Sequence, residues 1–245
     1  MYNWRGHSRE LVLEVLNLQT GLFQQSDRSE GDLAKIKREI SGKRPAPRYA
    51  RIHNCEFLGF IDRDFKKVGC LLHPELNQEK KLRDLSFHGR ATCDEIRCTA
   101  YFYLSASEAE LAAKATCDWY LYGLCLTDLD LSKEFFEIAS DIIFEDVNAE
   151  KILKRPKLIG IFRKYVGFKE RWPFARNPNR FGKYYFVNSE YPIYKIDYQS
   201  LASEPSKYDK ILNSLASEFR SRSELVSAEQ ELDSIFSDFA EAWRG

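Results

Sequence analysis

No stretch of this chain approaches the roughly 18 consecutive apolar residues that a membrane-spanning helix needs. The longest apolar neighbourhood, Trp119 to Leu126, is far shorter. A secretory signal is not predicted either, because Glu10 and Glu14 break up any apolar run behind the N-terminus. Charge of one sign is not in surplus: Lys plus Arg is 37 and Asp plus Glu is 37, for a formal net charge of zero. That balance excludes a uniformly basic nucleic-acid coat and an acidic disordered tail. The chain has no Walker loop, no G-x-G-x-x-G, no H-E-x-x-H and no G-x-S-x-G, and Gly59, Gly69 and Gly89 stand alone. The 6 cysteines are too few for a disulfide scaffold in 245 residues. These absences predict a soluble, cytoplasmic protein with no membrane partner. Thiols stay reduced in that compartment, so clustered cysteines read as metal ligands, catalytic groups or core residues.

What is present suffices for a core: 44% hydrophobic and 14% aromatic residues exceed what a disordered chain carries. Residues 1–51 read as N-terminal helices. Leu11, Val12, Val15, Leu16 and Leu18 have helical spacing from Ser8 to about Phe23, and a second helix is expected from Glu30 to Ile40. Residues 43–51, with two prolines, read as an extended basic connector. Residues 52–104 have no long helical period and read as a loop-rich module with short strands. In residues 105–245 helices return. Ser105-Ala106-Ser107-Glu108 matches a capping box opening a helix to about Leu121 or Gly123. Further helices are expected at Asp128 to Phe144 and around Leu158–Tyr165, with two more closing the chain. A β-hairpin near 181–198 is expected to turn at Asn188-Ser189-Glu190, with Pro192 on an edge strand. The fold class is therefore α+β, mainly helical. With no linker signal, residues 1–245 read as a single compact domain.

The loop-rich module holds Cys55, Cys70, Cys93 and Cys98, spaced C-x14-C-x22-C-x4-C, together with His53, His73 and His88. Four thiolates within a short stretch suit zinc or a 4Fe–4S cluster, since both ions prefer sulfur to carboxylate. His73 or His88 can substitute for one thiolate. A metal would also explain how a stretch with few apolar residues folds, by cross-linking distant parts of it. The competing reading is that these are half-buried packing cysteines. Arg83, Asp84 and Arg90 could orient ligands, but a structural ion pair is preferred. Cys117 and Cys125, beside Trp119, Tyr120 and Leu121, read as core. Asp62, Asp64 and Asp84 read as turn or surface carboxylates.

The pieces Cys55-Glu56-Phe57-Leu58, Gly69-Cys70-Leu71-Leu72-His73-Pro74 and Thr92-Cys93 resemble the bacterial zinc- or iron-chelating cysteine-cluster proteins of the YkgJ type. The resemblance spans about residues 53–100. It implies a bound zinc or iron–sulfur centre on Cys55, Cys70, Cys93 and Cys98. The chain departs from that pattern in lacking any cysteine before Cys55 and the Arg-Pro-x-x-Cys element, and in its longer Cys70 to Cys93 spacing. The main expectation is a metal-binding protein whose partner is the metal ion. An iron–sulfur redox enzyme is one alternative.

A second alternative is a nucleic-acid-binding module in residues 151–186, where eleven Lys or Arg face one acid, Glu170, with nine aromatics interleaved. Its candidate contacts are Lys154, Arg155, Lys157, Arg163, Lys164, Arg171, Trp172, Arg176 and Arg180. Cations bind phosphate and flat rings stack bases. Residues 128–150, however, carry eight acids against Lys133. Mutual neutralisation of the two segments inside the fold, with the aromatics in the core, is the preferred reading.

Overall fold

The structure is a computed structural model that describes residues 1–188 and 190–245. It is mainly helical, with two small two-stranded antiparallel sheets. Among the described residues no helix is long and apolar enough to cross a membrane. The chain gathers into two compact units, Met1–Arg97 and Cys98–Gly245. Their boundary runs through Ile96-Arg97-Cys98, a stretch without proline or glycine, so composition does not mark it.

In the first unit, α1 (Arg9–Gln24) starts at Ser8, whose hydroxyl accepts the Leu11 amide. Helix α2 (Glu30–Lys43) starts in the same way at Ser29. Their apolar stripes meet: Phe23, Leu33, Ile36 and Ile40 pack with Phe57, Leu71 and Leu72. Strands β1 (Leu58–Phe60) and β2 (Val68–Cys70) form a short hairpin. Asp62 closes its turn by accepting the amides of Lys66 and Lys67. A side chain at Gly59 would put its first carbon 2.6 Å from Thr20 Oγ1, so only glycine lets α1 lie this close to β1. Thr20 uses the closeness to accept the Phe60 amide at 2.9 Å. Of the expected connector, Lys43 belongs to α2, residues 45–47 run without a helix or turn, and residues 50–51 form a turn. Asn3 clamps it through Tyr49 and Ile52, and Trp4 bridges to Pro47.

Beyond Leu72 the unit thins out. It holds 3-10 turns at Pro74–Leu76 and Leu82–Leu85 and helix α3 (Gly89–Glu95), none with a buried residue. The short helix α3 was not expected from periodicity, because it has no apolar stripe to read.

In the second unit, α4 (Thr99–Tyr103) precedes α5 (Ala106–Thr116). The capping box forms as predicted: Ser105 Oγ accepts the Glu108 amide at 3.2 Å and Glu108 accepts the Ser105 amide at 2.8 Å. Ser105→Ala is expected to lower stability by about 1 kcal/mol, read as an earlier urea midpoint with unchanged slope. The expected single helix to Leu121 or Gly123 is in fact two. Cys117 turns left-handed (φ 52°), and Asp118 caps a new helix, α6 (Trp119–Thr127), through the amides of Tyr120 and Leu121. Apolar residues resume directly after Asp118 and conceal this break. Helices α7 (Leu129–Ile143), α8 (Ala149–Leu153), α9 (Pro156–Val166) and α10 (Phe168–Arg171) follow. Of the two closing helices, α11 (Asp209–Ser214) is short and α12 (Arg222–Arg244) is long. Fully buried Phe135 sits among Phe162, Tyr165, Phe236 and Phe239 at ring separations of 4.9, 4.9, 5.3 and 5.1 Å.

The hairpin also differs from expectation. Its ladder pairs β3 (Arg180–Phe181) with β4 (Tyr184–Tyr185) around Gly182-Lys183. Gly182 has φ +56°, which suits the first position of a two-residue turn. The expected pairing is also present, as the bridges Val187 with Glu190 and Tyr184 with Ile193 and as bonds from the Tyr185 amide to the Pro192 carbonyl at 3.0 Å and from the Tyr194 amide to the Lys183 carbonyl at 2.7 Å. Pro192, lacking an amide hydrogen, joins this pairing only through its carbonyl. Ser189, in the expected turn, lies outside the described residues.

Candidate metal centre

Three of the four predicted ligands belong to the first unit. Cys55 precedes β1, where Gln19 Nε2 donates to its carbonyl at 3.2 Å. Cys70 ends β2, and the Leu71 amide donates to Phe57 at 2.8 Å, tying the two stretches together. Cys93 lies on α3. Cys55, Cys70 and Cys93 are all half-buried, and the charges of Cys70 and Cys93 both act on Cys55. Burial, reinforced by Glu56 and these two thiols, pushes the Cys55 thiol up to about 11. A cation would reverse that balance, because a thiolate rather than a thiol is the ligand. Among the described residues, however, no group of three or more His, Cys, Asp or Glu side chains is gathered closely enough to hold a metal ion. Cys98, the fourth candidate, is exposed and opens the second unit as the N-cap of α4.

The thiols have polar company. The Arg83 guanidinium is ion-paired with Asp94 and its charge acts on Cys70, while its buried Nε has no partner. Ser86 Oγ lies 3.3 Å from Cys93 Sγ. Asn77 holds the turn after Cys70 by donating to the carbonyls of Leu71 and His73, each at 2.8 Å. Of the residues read as a structural ion pair, Asp84 faces Arg90 at 3.7 Å, while Arg83 pairs with Asp94.

The histidines divide. His73 caps the first 3-10 turn and His88 precedes α3. His53 stacks on Phe87 with ring centroids 4.0 Å apart and meets His88 edge-on at 5.4 Å. His53 is anchored by buried Glu56 at 3.2 Å, and Glu56 is in turn held by Arg44 at 3.0 Å. Burial lowers the His53 pKa, and Glu56 only partly opposes it. The roles of His53, Glu56, Ser86 and Asp94 were not read from the sequence; none lies at a motif position relative to a cysteine.

Cys125 is buried as expected, and burial pushes its thiol up to about 12. Cys117 is a correction: it is exposed, because the left-handed cap turns it outward, where its thiol donates to the Lys114 carbonyl.

In the basic segment most cations are already engaged. Arg155 donates to the Trp243 carbonyl and Arg163 to the Ala115 carbonyl. Lys164 faces Asp238 at 3.6 Å, and Arg171 donates to the Lys164 carbonyl at 2.7 Å. Arg176 grips Glu224 with two bonds of 2.9 Å. Trp172 is buried and donates to Ser217 Oγ at 2.7 Å. Arg180 is buried, donates to the Ser217 carbonyl at 2.6 Å and stacks on Tyr194. Lys154 and Lys157 are exposed. Lys169–Asp128 and Lys183–Asp130 join the basic and acidic segments directly. This is the arrangement in which neighbouring segments of opposite sign neutralise each other.

Comparison with family models, curated proteins and solved structures gave no match. The resemblance to cysteine-cluster proteins therefore stands on the quoted residues alone.

Proposed function

We propose that the unit Met1–Arg97 is a zinc-binding module in which Cys55, Cys70 and Cys93 supply sulfur and His88 a ring nitrogen. The carrying observation is the thin packing of the stretch that bears Cys93, set against Cys55 and Cys70, which pack on the core. Between Leu72 and Ala100 only Asn77 is buried, yet the chain turns through two 3-10 turns and a helix. Leu82 and Leu85 pack half-buried against the core of Phe23, Leu33 and Leu72, but helix α3, which carries Cys93, has no buried residue, and a cation joining Cys93 to Cys55 and Cys70 would tie it to that core. Three thiolates and a neutral histidine are a donor set of structural zinc. A 4Fe–4S cluster asks for a fourth thiolate. Three thiolates on a divalent ion leave one negative charge, which Arg83 at Cys70 is placed to offset. Ser86 supplies a hydroxyl to the sulfur of Cys93, and such outer contacts orient and tune ligands.

Zinc added to chelator-treated full-length protein is expected to release protons, as thiols become thiolates. It should also raise thermal stability, by about 2.7 kcal/mol at a hundredfold excess over Kd. Cys55→Ser, Cys70→Ser and Cys93→Ser should each lose both responses, whereas Cys117→Ser should keep them. Retention of both responses in all three serine variants would remove the proposal.

A further inference from the structure

The second unit holds a cavity of about 550 Å³ that the zinc reading does not use. Its volume lies in the range of small-molecule sites. Three separate stretches wall it: α4 through Tyr103, the start of α7 through Asp130 and Lys133, and the β3–β4 hairpin through Phe181, Lys183 and Tyr184. Asp128 lies at its edge with its carboxylate already committed. One oxygen accepts from Ser214 Oγ at 3.0 Å and from the Leu131 amide, and the other is paired with Lys169.

Asp130, Lys133 and Lys183 are placed differently. Lys183 is paired with one oxygen of Asp130, leaving the other oxygen available. Lys133 reaches both oxygens of Glu108, at 2.7 and 2.8 Å. An ammonium has three protons and a carboxylate about four acceptor positions, so both lysines and Asp130 keep spare capacity. The lysines and Asp130 are 29–39% exposed, so their ion pairs contribute little and can be shared with a ligand. Including the partners, three lysines face three carboxylates. A net anion would meet the repulsion of Asp128, Asp130 and Glu108, and a net cation that of the lysines. A molecule carrying one ammonium and one carboxylate meets neither. The aromatic walls ask for an apolar body on the same molecule.

We infer that this cavity binds a free amino acid with an aromatic side chain, its carboxylate on Lys133 and Lys183 and its ammonium on Asp130. The inference does not depend on the thiols of the first unit.

Isothermal titration of the full-length protein with L-phenylalanine tests it, with phenylacetate and phenethylamine as the two half-ligands. One saturable site is expected for L-phenylalanine, with each half-ligand bound at least about tenfold more weakly, a difference of about 1.4 kcal/mol. Asp130→Asn and Lys183→Met should each weaken L-phenylalanine by a similar factor. Tyr103 is 66% exposed, so Tyr103→Ala leaves the fold intact while removing a wall, and it should weaken binding too. No saturable binding of L-phenylalanine, or equal binding of either half-ligand, would overturn the inference. So would unchanged affinity in Tyr103→Ala and the two charge variants.

Discussion

Phe135→Ala is expected to lower the unfolding free energy of the Cys98–Gly245 unit by about 3–5 kcal/mol, the cost of emptying a large aromatic site in a core that cannot collapse. Phe135 is fully buried and is the common neighbour of Phe162 and Tyr165 from α9 and Phe236 and Phe239 from α12. Tyr165 is itself fixed by donating its hydroxyl to the Leu131 carbonyl at 2.8 Å, so the ring beside the new cavity cannot swing to fill it. Loss should be visible in urea unfolding followed by tryptophan fluorescence, since Trp172 and Trp243 are buried in the same unit. Phe135→Leu, which keeps most of the volume, should cost markedly less. A loss below about 1 kcal/mol for the alanine variant would mean that the aromatic cluster is not the centre of this unit.

The second large effect is expected at Lys169. Its ammonium is paired with Asp128, the two side chains are 7% and 9% exposed, and Lys169 also donates to the Ser214 carbonyl at 2.5 Å. Removing one member of a buried pair strands the other charge, at a cost of about 3–5 kcal/mol. Lys169→Met should therefore destabilise the unit by that amount. Asp128→Asn combined with Lys169→Met should recover part of the loss, because no charge then remains unpaired. Gly182 packs against this pair: a side chain there would put its first carbon 3.0 Å from Asp128 Oδ2. Equal losses in the single and double variants would show that packing, not charge, sets the cost at this position.

Much of this architecture was legible because helices announce themselves through periodic burial. The stripes of α1, α2, α7, α9 and α12 lie where the apolar spacing predicts, and the Ser105 to Glu108 box forms as read. The break at Cys117-Asp118 was missed because a capping aspartate carries no periodic signal when apolar residues follow it directly. The tight turn at Gly182-Lys183, which pairs Arg180–Phe181 with Tyr184–Tyr185, was missed because it lies at the edge of the longer aromatic run.

The candidate centre was legible only in part. Spacing nominated four cysteines. The fold places Cys55, Cys70 and Cys93 in one unit and Cys98 at the start of the other. The closeness of Arg83 to Cys70 and of Ser86 to Cys93 depends on how two 3-10 turns fold, which no residue pattern encodes. The cavity of the second unit was wholly unread, because its walls come from three stretches, 98–103, 126–133 and 181–184, that are distant in the chain.

The most direct test of the central claim is the metal content of the full-length protein, purified without chelator and without added metal. About one equivalent of zinc per chain is expected, falling below ~0.2 in Cys93→Ser while the aromatic core of the second unit stays folded by circular dichroism. Less than ~0.1 equivalent of zinc in the folded, unaltered protein, or undiminished zinc in the Cys93→Ser variant, would contradict the account.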